Sequence, residues 1–325
     1  MPTTGETPRR SGGSPARSAT LNARRVAEEA ERTILSLPEV RKEGSEALLA
    51  YLAVDEPAIH LMPLHFLPER SRGNVDHGSL HELAVAAKLE YARNRWLDEM
   101  ADSTDLSALP LSTHRLNDAV LVLIGSRYAG VLDGAAAEVF FPTLARLHAR
   151  HGLSLLLDSA WSRHPESSIT LEEYVEHARA RHGPVRSPVD AVLLLAGASE
   201  DELRRARSSW HYWALGVQFY DDALDVEEDF RDRNPSWVVS RTFEHFGGRD
   251  HAGKRLPDPD LFYETALTEG IVCEALAHAE SFFVGSARLA EPVFPSWAAL
   301  QRACASQACE LREDYEKLVA EAGRV

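Results

Sequence analysis

The sequence predicts an all-α protein, and three observations carry this prediction. Apolar residues recur at helical spacing along most of the chain, strand-like alternation is scarce, and helix-start signals stand where apolar segments begin. No internal repeat divides the chain. We therefore expect a single-domain helical bundle over residues 21–325, behind a disordered tail over residues 1–20 that is rich in Gly, Pro, Ser, Thr and Arg.

Each helix follows from apolar spacing together with the residues that begin or end it. Apolar spacing predicts helices over residues 21–52, 79–102, 113–132, 135–161, 199–229, 259–285 and 296–322. Gly134 ends the third of these, and Thr170 is a good N-cap for a further helix that starts at Leu171. Ser199 begins the long helix over 199–229, with Glu202 in the third position of a capping box. Residues 187–197 form a short apolar segment before it.

Composition and charge exclude several classes of protein. A hydrophobic content of 44% over 325 residues is enough for a large core. No stretch approaches about 18 uninterrupted apolar residues, so a membrane span is not expected. The net charge of −15 disfavours nucleic acid as a partner, because phosphate binding needs a basic face. The three cysteines form no CxxC pair, so neither a zinc site nor a disulfide framework is expected, and a cytoplasmic location fits.

An acidic cluster, Asp221-Asp222-Ala223-Leu224-Asp225, is the most informative segment, and it directly follows the apolar residues 213–220. On a helix these carboxylates share roughly one face, which Glu228 and Asp229 continue one turn later. Half-buried carboxylates at this density repel one another, so a cation must compensate them. A hard divalent ion with oxygen ligands is the natural candidate, and such an ion also allows a phosphorylated substrate in an acidic protein.

A second acidic cluster stands 123 positions before Asp221, where Asp98, Glu99 and Asp102 follow Arg95 on one predicted helix. Asp98 and Asp102 are one turn apart, and Arg95 lies one turn before Asp98. Alone, this pattern is explained more often by a solvated helix end. Sites in helical bundles are commonly built from acids on facing helices, so the two clusters together predict a metal site.

The segment from Leu215 to Asp229 closely resembles the second aspartate-rich motif of trans-isoprenyl diphosphate synthases and of related class I terpene synthases. Four segments that precede this motif also resemble segments of that family, and they stand in the family's order. They are Leu157-Asp158, 171–174, Arg181-His182-Gly183 and 193–197. The resemblance covers about residues 80–235 and implies a helical bundle of the isoprenoid synthase type with a central active-site cavity. It also implies a prenyl diphosphate as the substrate, and it allows a homodimer.

The resemblance, together with the chemistry of the residue types, assigns roles to particular side chains. More than one Mg²⁺ ion would be held by Asp98, Glu99, Asp102, Asp221, Asp222 and Asp225, of which the aspartates are the expected catalytic residues. The diphosphate would be bound by Arg95, Arg181, Arg231 and Arg233, with Arg181 at the position of the family's diphosphate-binding lysine. Aromatic faces for a carbocation would come from Tyr91, Trp96, Trp213, Phe219 and Tyr220, although such residues are more often plain core.

Departures from the family pattern bear on the reaction. The family's Gly-Lys-x-x-Arg segment, which binds isopentenyl diphosphate, and its Arg-Arg-Gly after the first motif are not visible, and residues 68–73 are a poor substitute. Tyr91 stands seven positions before the first motif, where the family usually has His or Gln. The Asn/Ser/Glu triad that is usual in bacterial terpene cyclases is absent as well.

These departures favour a Mg²⁺-dependent class I terpene synthase, a cyclase that ionises one linear prenyl diphosphate. The alternative is a prenyltransferase that condenses an allylic diphosphate with isopentenyl diphosphate. A non-catalytic synthase-like subunit is less expected, because such a subunit would lose its acids. A ferritin-like di-iron protein needs Glu-x-x-His motifs, and none of the 14 histidines has a glutamate three positions earlier.

Overall fold

The computed structural model describes residues 22–37, 46–53, 59, 61–71, 73–103, 111–163, 168–247 and 257–322. Within these ranges the regular structure is helical, and no strand occurs among them. This confirms the all-α prediction. The predicted tail over residues 1–20 lies outside the described residues.

Fourteen α-helices and two short 3-10 turns, Glu69–Ser71 and Gly183–Arg186, make up the described part of the chain. In chain order the helices are α1 (Ala23–Leu35), α2 (Glu46–Ala53), α3 (Met62–His65), α4 (His77–Ser103), α5 (Leu111–Val131), α6 (Gly134–Ser162), α7 (Leu171–Arg181), α8 (Ser187–Leu195), α9 (Glu200–Leu224), α10 (Val226–Asp232), α11 (Trp237–His245), α12 (Pro259–Thr268), α13 (Ile271–Ala290) and α14 (Pro295–Ala322).

Capping residues set the starts of α7 and α9 where the sequence places them. The Thr170 and Ser199 hydroxyls accept from the backbone N–H three positions later, and Glu173 and Glu202 accept in return from the cap N–H. These are two complete capping boxes, which satisfy backbone donors that have no partner inside the helix.

Three of the predicted helices are wrong in extent. The segment 21–52 is two helices, because α1 ends at Leu35 and α2 begins at Glu46. The segment 199–229 breaks at Asp225, whose backbone leaves helical geometry at φ −100° and ψ 18° between α9 and α10. The segment 259–285 breaks at Gly270, which adopts a left-handed φ of 74° that glycine accepts without steric cost.

Two long helices, α4 and α9, run through the interior and position the candidate site. Helix α4 packs against α1, α2, α5 and α8, and its residues 83–90 are buried without a break. Helix α9 packs along α13, which in turn packs along α14. Both α4 and α9 carry acidic residues in their last turns. Among the described helices, none is long and apolar enough to cross a membrane.

Candidate active site

A cavity of about 330 Å³ lies between α4 and α9, and both acidic clusters reach it. Asp98 comes from the first cluster and Asp221 from the second. The residues that line the cavity follow helical spacing, so each helix presents one face to it. They are Tyr91, Asn94, Arg95 and Asp98 of α4, and Trp213, Val217, Gln218 and Asp221 of α9, joined by Ile59, Arg181, His182 and Val185.

Two further pockets adjoin this cavity, and they share its two arginines. One, of about 240 Å³, is lined by the acids of α9 and α10, namely Asp221, Asp222, Asp225, Glu228, Asp229 and Asp232. The other, of about 430 Å³, contains Asp98, Glu99 and Tyr51. Arg95 and Arg181 line all three spaces, so the two guanidinium groups lie between the acidic clusters.

Asp98 is held as a carboxylate by two neighbours. The Arg181 Nε donates to Asp98 Oδ2 at 3.4 Å, and His151 Nε2 lies 3.3 Å from Asp98 Oδ1. Burial by itself would raise the pKa of Asp98, but Arg181 and His151 outweigh burial and hold that pKa well below its usual value. Asp98 therefore presents a charged oxygen to the cavity.

Asp222 differs from its neighbours Asp221 and Asp225, because it is buried whereas they are exposed. It accepts hydrogen bonds from the Tyr174 hydroxyl, from Gln218 Nε2 at 3.0 Å and from the Trp237 backbone N–H at 2.8 Å. Burial raises the pKa of Asp222 to about 6. A carboxylate has about four acceptor positions, so these donors leave about one position for a metal ion.

Asp229, seven positions after Asp222, is the second buried acid of this region. The Asn234 amide donates to Asp229 Oδ1 at 2.9 Å, and burial, followed by the nearby Asp222, raises the pKa of Asp229 well above its usual value. The structure thus divides the predicted single acidic face into two. Asp221, Asp225 and Glu228 are exposed at the opening, whereas Asp222 and Asp229 are buried beneath it.

Several predicted site residues lie away from the described pockets. Arg231 is exposed and faces Glu227, and Arg233 is exposed at the left-handed end of α10, so neither lines those pockets. Trp96 and Phe219 are buried in the core, and Tyr220 packs against that core. Tyr91 and Trp213 do line the cavity. Asp102 lies in the last turn of α4, and its side chain is outside the described residues.

The pocket lining also includes residues that the sequence does not assign to the site, among them Tyr174, His177, His182 and Gln218. His182 Nε2 lies 2.9 Å from Gln218 Oε1, and burial together with Arg181 lowers the pKa of His182 to about 4. Gln218 stands one turn before Asp222, a spacing that the sequence does display. His177 Nε2 lies 2.7 Å from Asp158 Oδ1. This contact joins α7 to α6, and the sequence does not reveal it.

The donor set at the opening fits Mg²⁺. The acids there supply carboxylate oxygens, which are the ligands that this ion prefers. Within the described residues, no three acidic, histidine or cysteine side chains converge closely enough to hold a metal ion alone. Mg²⁺ usually takes only one or two carboxylates and completes its shell with water and substrate phosphate oxygens. The arrangement therefore suits ions that bind together with a diphosphate.

No family model and no curated protein matches the chain. Solved structures do match it over most of its length. The polyprenyl synthase from Caulobacter crescentus CB15, complexed with calcium and isoprenyl diphosphate, has a TM-score of 0.68 at 16% identity, covering 88% of this chain and 94% of that one. The heptaprenyl diphosphate synthase from Staphylococcus aureus gives 0.69 at 13% identity, covering 89% and 98%.

A third similar structure is the geranylgeranyl pyrophosphate synthase from Corynebacterium glutamicum, complexed with isoprenyl diphosphate and magnesium. Its TM-score is 0.62 at 13% identity, and the match covers 89% of this chain and 99% of that one. These likenesses give the fold: the chain has the helical fold of the isoprenyl diphosphate synthases. They confirm, at the level of fold, the resemblance that the aspartate-rich segment displays.

Proposed function

We propose that this protein is a Mg²⁺-dependent enzyme that ionises an allylic prenyl diphosphate. One observation carries the proposal: Asp98 of α4 and Asp221 of α9 line one cavity, with Arg95 and Arg181 between the acidic clusters. Carboxylates suit the metal ions, guanidinium groups suit the diphosphate, and the cavity between them also has the apolar and aromatic walls that a prenyl chain needs.

The reaction we favour is prenyl transfer to isopentenyl diphosphate. Support comes from the solved structures, which are prenyl synthases and match the chain almost from end to end. The departures in the sequence, taken alone, place cyclisation first. The likeness over nearly the whole chain reverses that order, because it extends well beyond the segment with the aspartate-rich motif.

The chain's own residues have separable tasks in this proposal. When bound, Mg²⁺ supplies Lewis-acid neutralisation of the leaving diphosphate. Arg95 and Arg181 bind and orient the phosphate oxygens, since preorganised cations best meet developing charge. Asp98 keeps its negative charge for the metal side of the site because Arg181 and His151 hold its pKa low. Tyr91 and Trp213 face the cavity, where aromatic rings stabilise an allylic cation and exclude water.

Cyclisation of a single diphosphate is the second candidate, and two observations favour it. Arg70, in the segment 68–73, is engaged with Glu202 of α9, its Nε donating at 3.0 Å, so it offers no cation to a second diphosphate. Tyr91 occupies the cavity wall where the family resemblance places His or Gln. Both observations concern the co-substrate, and neither affects the ionisation step.

Product analysis separates the two reactions. The protein is incubated with Mg²⁺ and allylic diphosphates of increasing length, with and without isopentenyl diphosphate. A longer diphosphate that forms only with isopentenyl diphosphate is the expected result. A hydrocarbon or alcohol from one diphosphate alone would establish cyclisation instead. A folded protein that gives neither product would contradict the proposal.

Variants test the site itself. Asp221→Asn and Arg181→Gln are expected to lower kcat roughly a hundredfold or more, because each removes a charge that meets the leaving group. Asp260→Asn, at the exposed start of α12, is the matched control and should leave kcat unchanged. Equal activity of Asp221→Asn and the control would argue against the proposed role of this cluster.

A further inference from the structure

A second kind of cavity, of about 370 Å³, lies on the other side of α7 from the acidic opening. Helix α7 presents Tyr174, His177 and Arg181 to the acidic side. It presents Glu176 and Arg179 to this other cavity, as helical spacing requires. The charged and titratable side chains that line the cavity are Arg146, Arg150, Glu176, Arg179, Arg186 and His211. We call this cavity the basic pocket.

The positive charge of the basic pocket is only partly compensated. Glu176 is the one carboxylate among its described lining residues, and it pairs with Arg179 at 2.7 Å. The buried Asp190 accepts from Arg186 at 3.2 Å and also from Arg207 at 2.8 Å, so one carboxylate serves two guanidinium groups.

Two further arginines add uncompensated charge. Arg146 and Arg150 project from α6, and neither makes an ion pair or hydrogen bond to another described side chain. A local excess of cations is notable in a chain with a net charge of −15. Such an excess attracts anions and concentrates them in a concave site.

The arginines of the basic pocket also act on the imidazole of His211. Arg186 Nη1 lies 2.8 Å from His211 Nε2, and because a guanidinium can only donate, the imidazole nitrogen must accept. Burial, followed by Arg186, Arg179, Arg150 and Arg207, lowers the pKa of His211 to about 3. The imidazole is therefore neutral, and the pocket does not gain a further cation from it.

We propose that the basic pocket binds a small phosphate-bearing anion, of which inorganic diphosphate is the first probe. Guanidinium groups match phosphate oxygens with paired N–H donors, and Arg146, Arg150, Arg179 and Arg186 approach the pocket from α6, α7 and the 3-10 turn Gly183–Arg186. The volume is in the range of small-ligand sites. This site is separate from the proposed reaction, and its occupation needs no metal ion.

The test is calorimetric titration of the full chain with inorganic diphosphate in buffer that contains EDTA. Without divalent ions, the acids at the opening repel an anion, so binding reports on the basic pocket. We expect a saturable site that Arg150→Gln and Arg179→Gln each weaken about tenfold or more, as loss of a charged hydrogen bond implies. Both side chains are at least partly exposed, so these variants should fold.

Two controls locate the site. Arg163→Gln, an exposed arginine just beyond α6, makes the same charge change outside the pocket and should leave the affinity unchanged. Arg288→Gln, an exposed arginine in the last turn of α13, should also leave it unchanged. In addition, a bound anion should raise the pKa of His211, which NMR of the histidine rings would follow.

Parallel titrations with inorganic phosphate and a nucleoside diphosphate distinguish the source of the phosphate group. Saturable binding by any of them that requires Arg150 and Arg179 supports the proposal. The proposal would be overturned if the wild-type chain bound none of these anions, or if both variants bound them as tightly as the wild type. If the wild type binds none of the anions but the two variants change the mass in light scattering, the arginines serve a protein contact and the proposal also fails.

Discussion

Asp221, Asp222 and Asp225 lie within one helical turn, yet their environments assign them different tasks. Asp221 and Asp225 are exposed at the opening. Asp222 is buried and receives donors from α7, from α9 and from the first residue of α11. It therefore ties three helices together beneath the opening, and its removal should affect stability more than removal of Asp225.

Asp222→Asn is expected to destabilise the protein by about 2–3 kcal/mol, because hydrogen bonds to a charged group are lost and an amide NH₂ meets donors. Asp225→Asn should change the free energy of unfolding by less than about 0.5 kcal/mol, as exposed substitutions usually do. Urea unfolding of both variants, without metal, checks the prediction. Equal stability of the two variants would show that the donors around Asp222 contribute little.

The contrast between these aspartates marks the limit of the sequence at the residue scale. Two acidic clusters on different helices of a bundle predict that Asp98 and Asp221 belong to one site, and the structure brings both to one cavity. The sequence could not predict which of these acids is buried, since Tyr174, whose hydroxyl binds Asp222, is 48 positions away from it. Arg233 is predicted to bind the diphosphate as a nearby cation, but its side chain is exposed and does not line the described pockets, although its neighbours Asp232 and Asn234 line one of them.

At the scale of elements, α9 and α13 approach each other closely through two reciprocal contacts. A Cβ added to Gly216 of α9 would lie 2.6 Å from Phe283 Cε1 of α13. A Cβ added to Gly285 of α13 would lie 2.6 Å from Tyr212 Cδ1 of α9. Each helix thus uses a glycine to receive an aromatic ring of the other. This close contact fixes α9, whose last turn carries the second acidic cluster.

Gly216→Ala should therefore destabilise the protein by about 1–3 kcal/mol, the usual cost of overpacking, because the buried Phe283 ring has little room to move. The matched control is Gly125→Ala in α5, where nothing lies within 4 Å of an added Cβ. That change should stabilise the protein by about 0.5–1 kcal/mol through helix propensity. Opposite signs in urea unfolding are the expected result, and a stabilising Gly216→Ala would contradict the close contact.

The helices themselves were predictable where local chemistry determines them. Capping boxes begin α7 and α9 at the predicted residues, since the hydroxyl and carboxylate that form them are three positions apart. The breaks at Asp225 and Gly270 were missed because apolar spacing continues across each of them. An isolated glycine inside a helical pattern is usually tolerated, so Gly270 gave only a weak signal.

At the scale of the whole molecule, the chain separates its charges across α7. The acidic opening lies on one side and the basic pocket on the other. The sequence predicts the first, because its acids are adjacent. It does not predict the second, whose charged and titratable residues come from α6, α7, α9 and a 3-10 turn. Each side also holds a half-buried histidine whose pKa is lowered, His182 toward the opening and His211 in the basic pocket.

These histidines make the stability of the protein depend on pH. The pKa of His211 is lowered to about 3 in the folded chain, below the value of about 6.5 that an unfolded chain has. Above pH 6.5 the imidazole is neutral in both states and costs nothing. As the pH falls below 6.5, the unfolded chain binds a proton that the folded chain does not, so stability is lost down to about pH 3.

Replacement of His211 isolates this contribution from that of other groups. Asp222 acts in the opposite direction, because its raised pKa of about 6 means that protonation below pH 6 favours the folded chain. A pH profile of the wild type alone therefore mixes both signs. In the difference in unfolding free energy between His211→Gln and the wild type, the contributions of the titratable groups that the two proteins share cancel.

We expect this difference to shift in favour of His211→Gln by about 2 kcal/mol between pH 6 and pH 4, given about 1.4 kcal/mol per pH unit for one proton. Urea unfolding at half-unit steps, without metal ions, measures it. The same series with His77→Gln, an exposed histidine at the start of α4, shows whether loss of any histidine has the effect. A constant difference for His211→Gln would mean that the folded pocket admits a proton, and that its arginines do not face the imidazole as the structure places them.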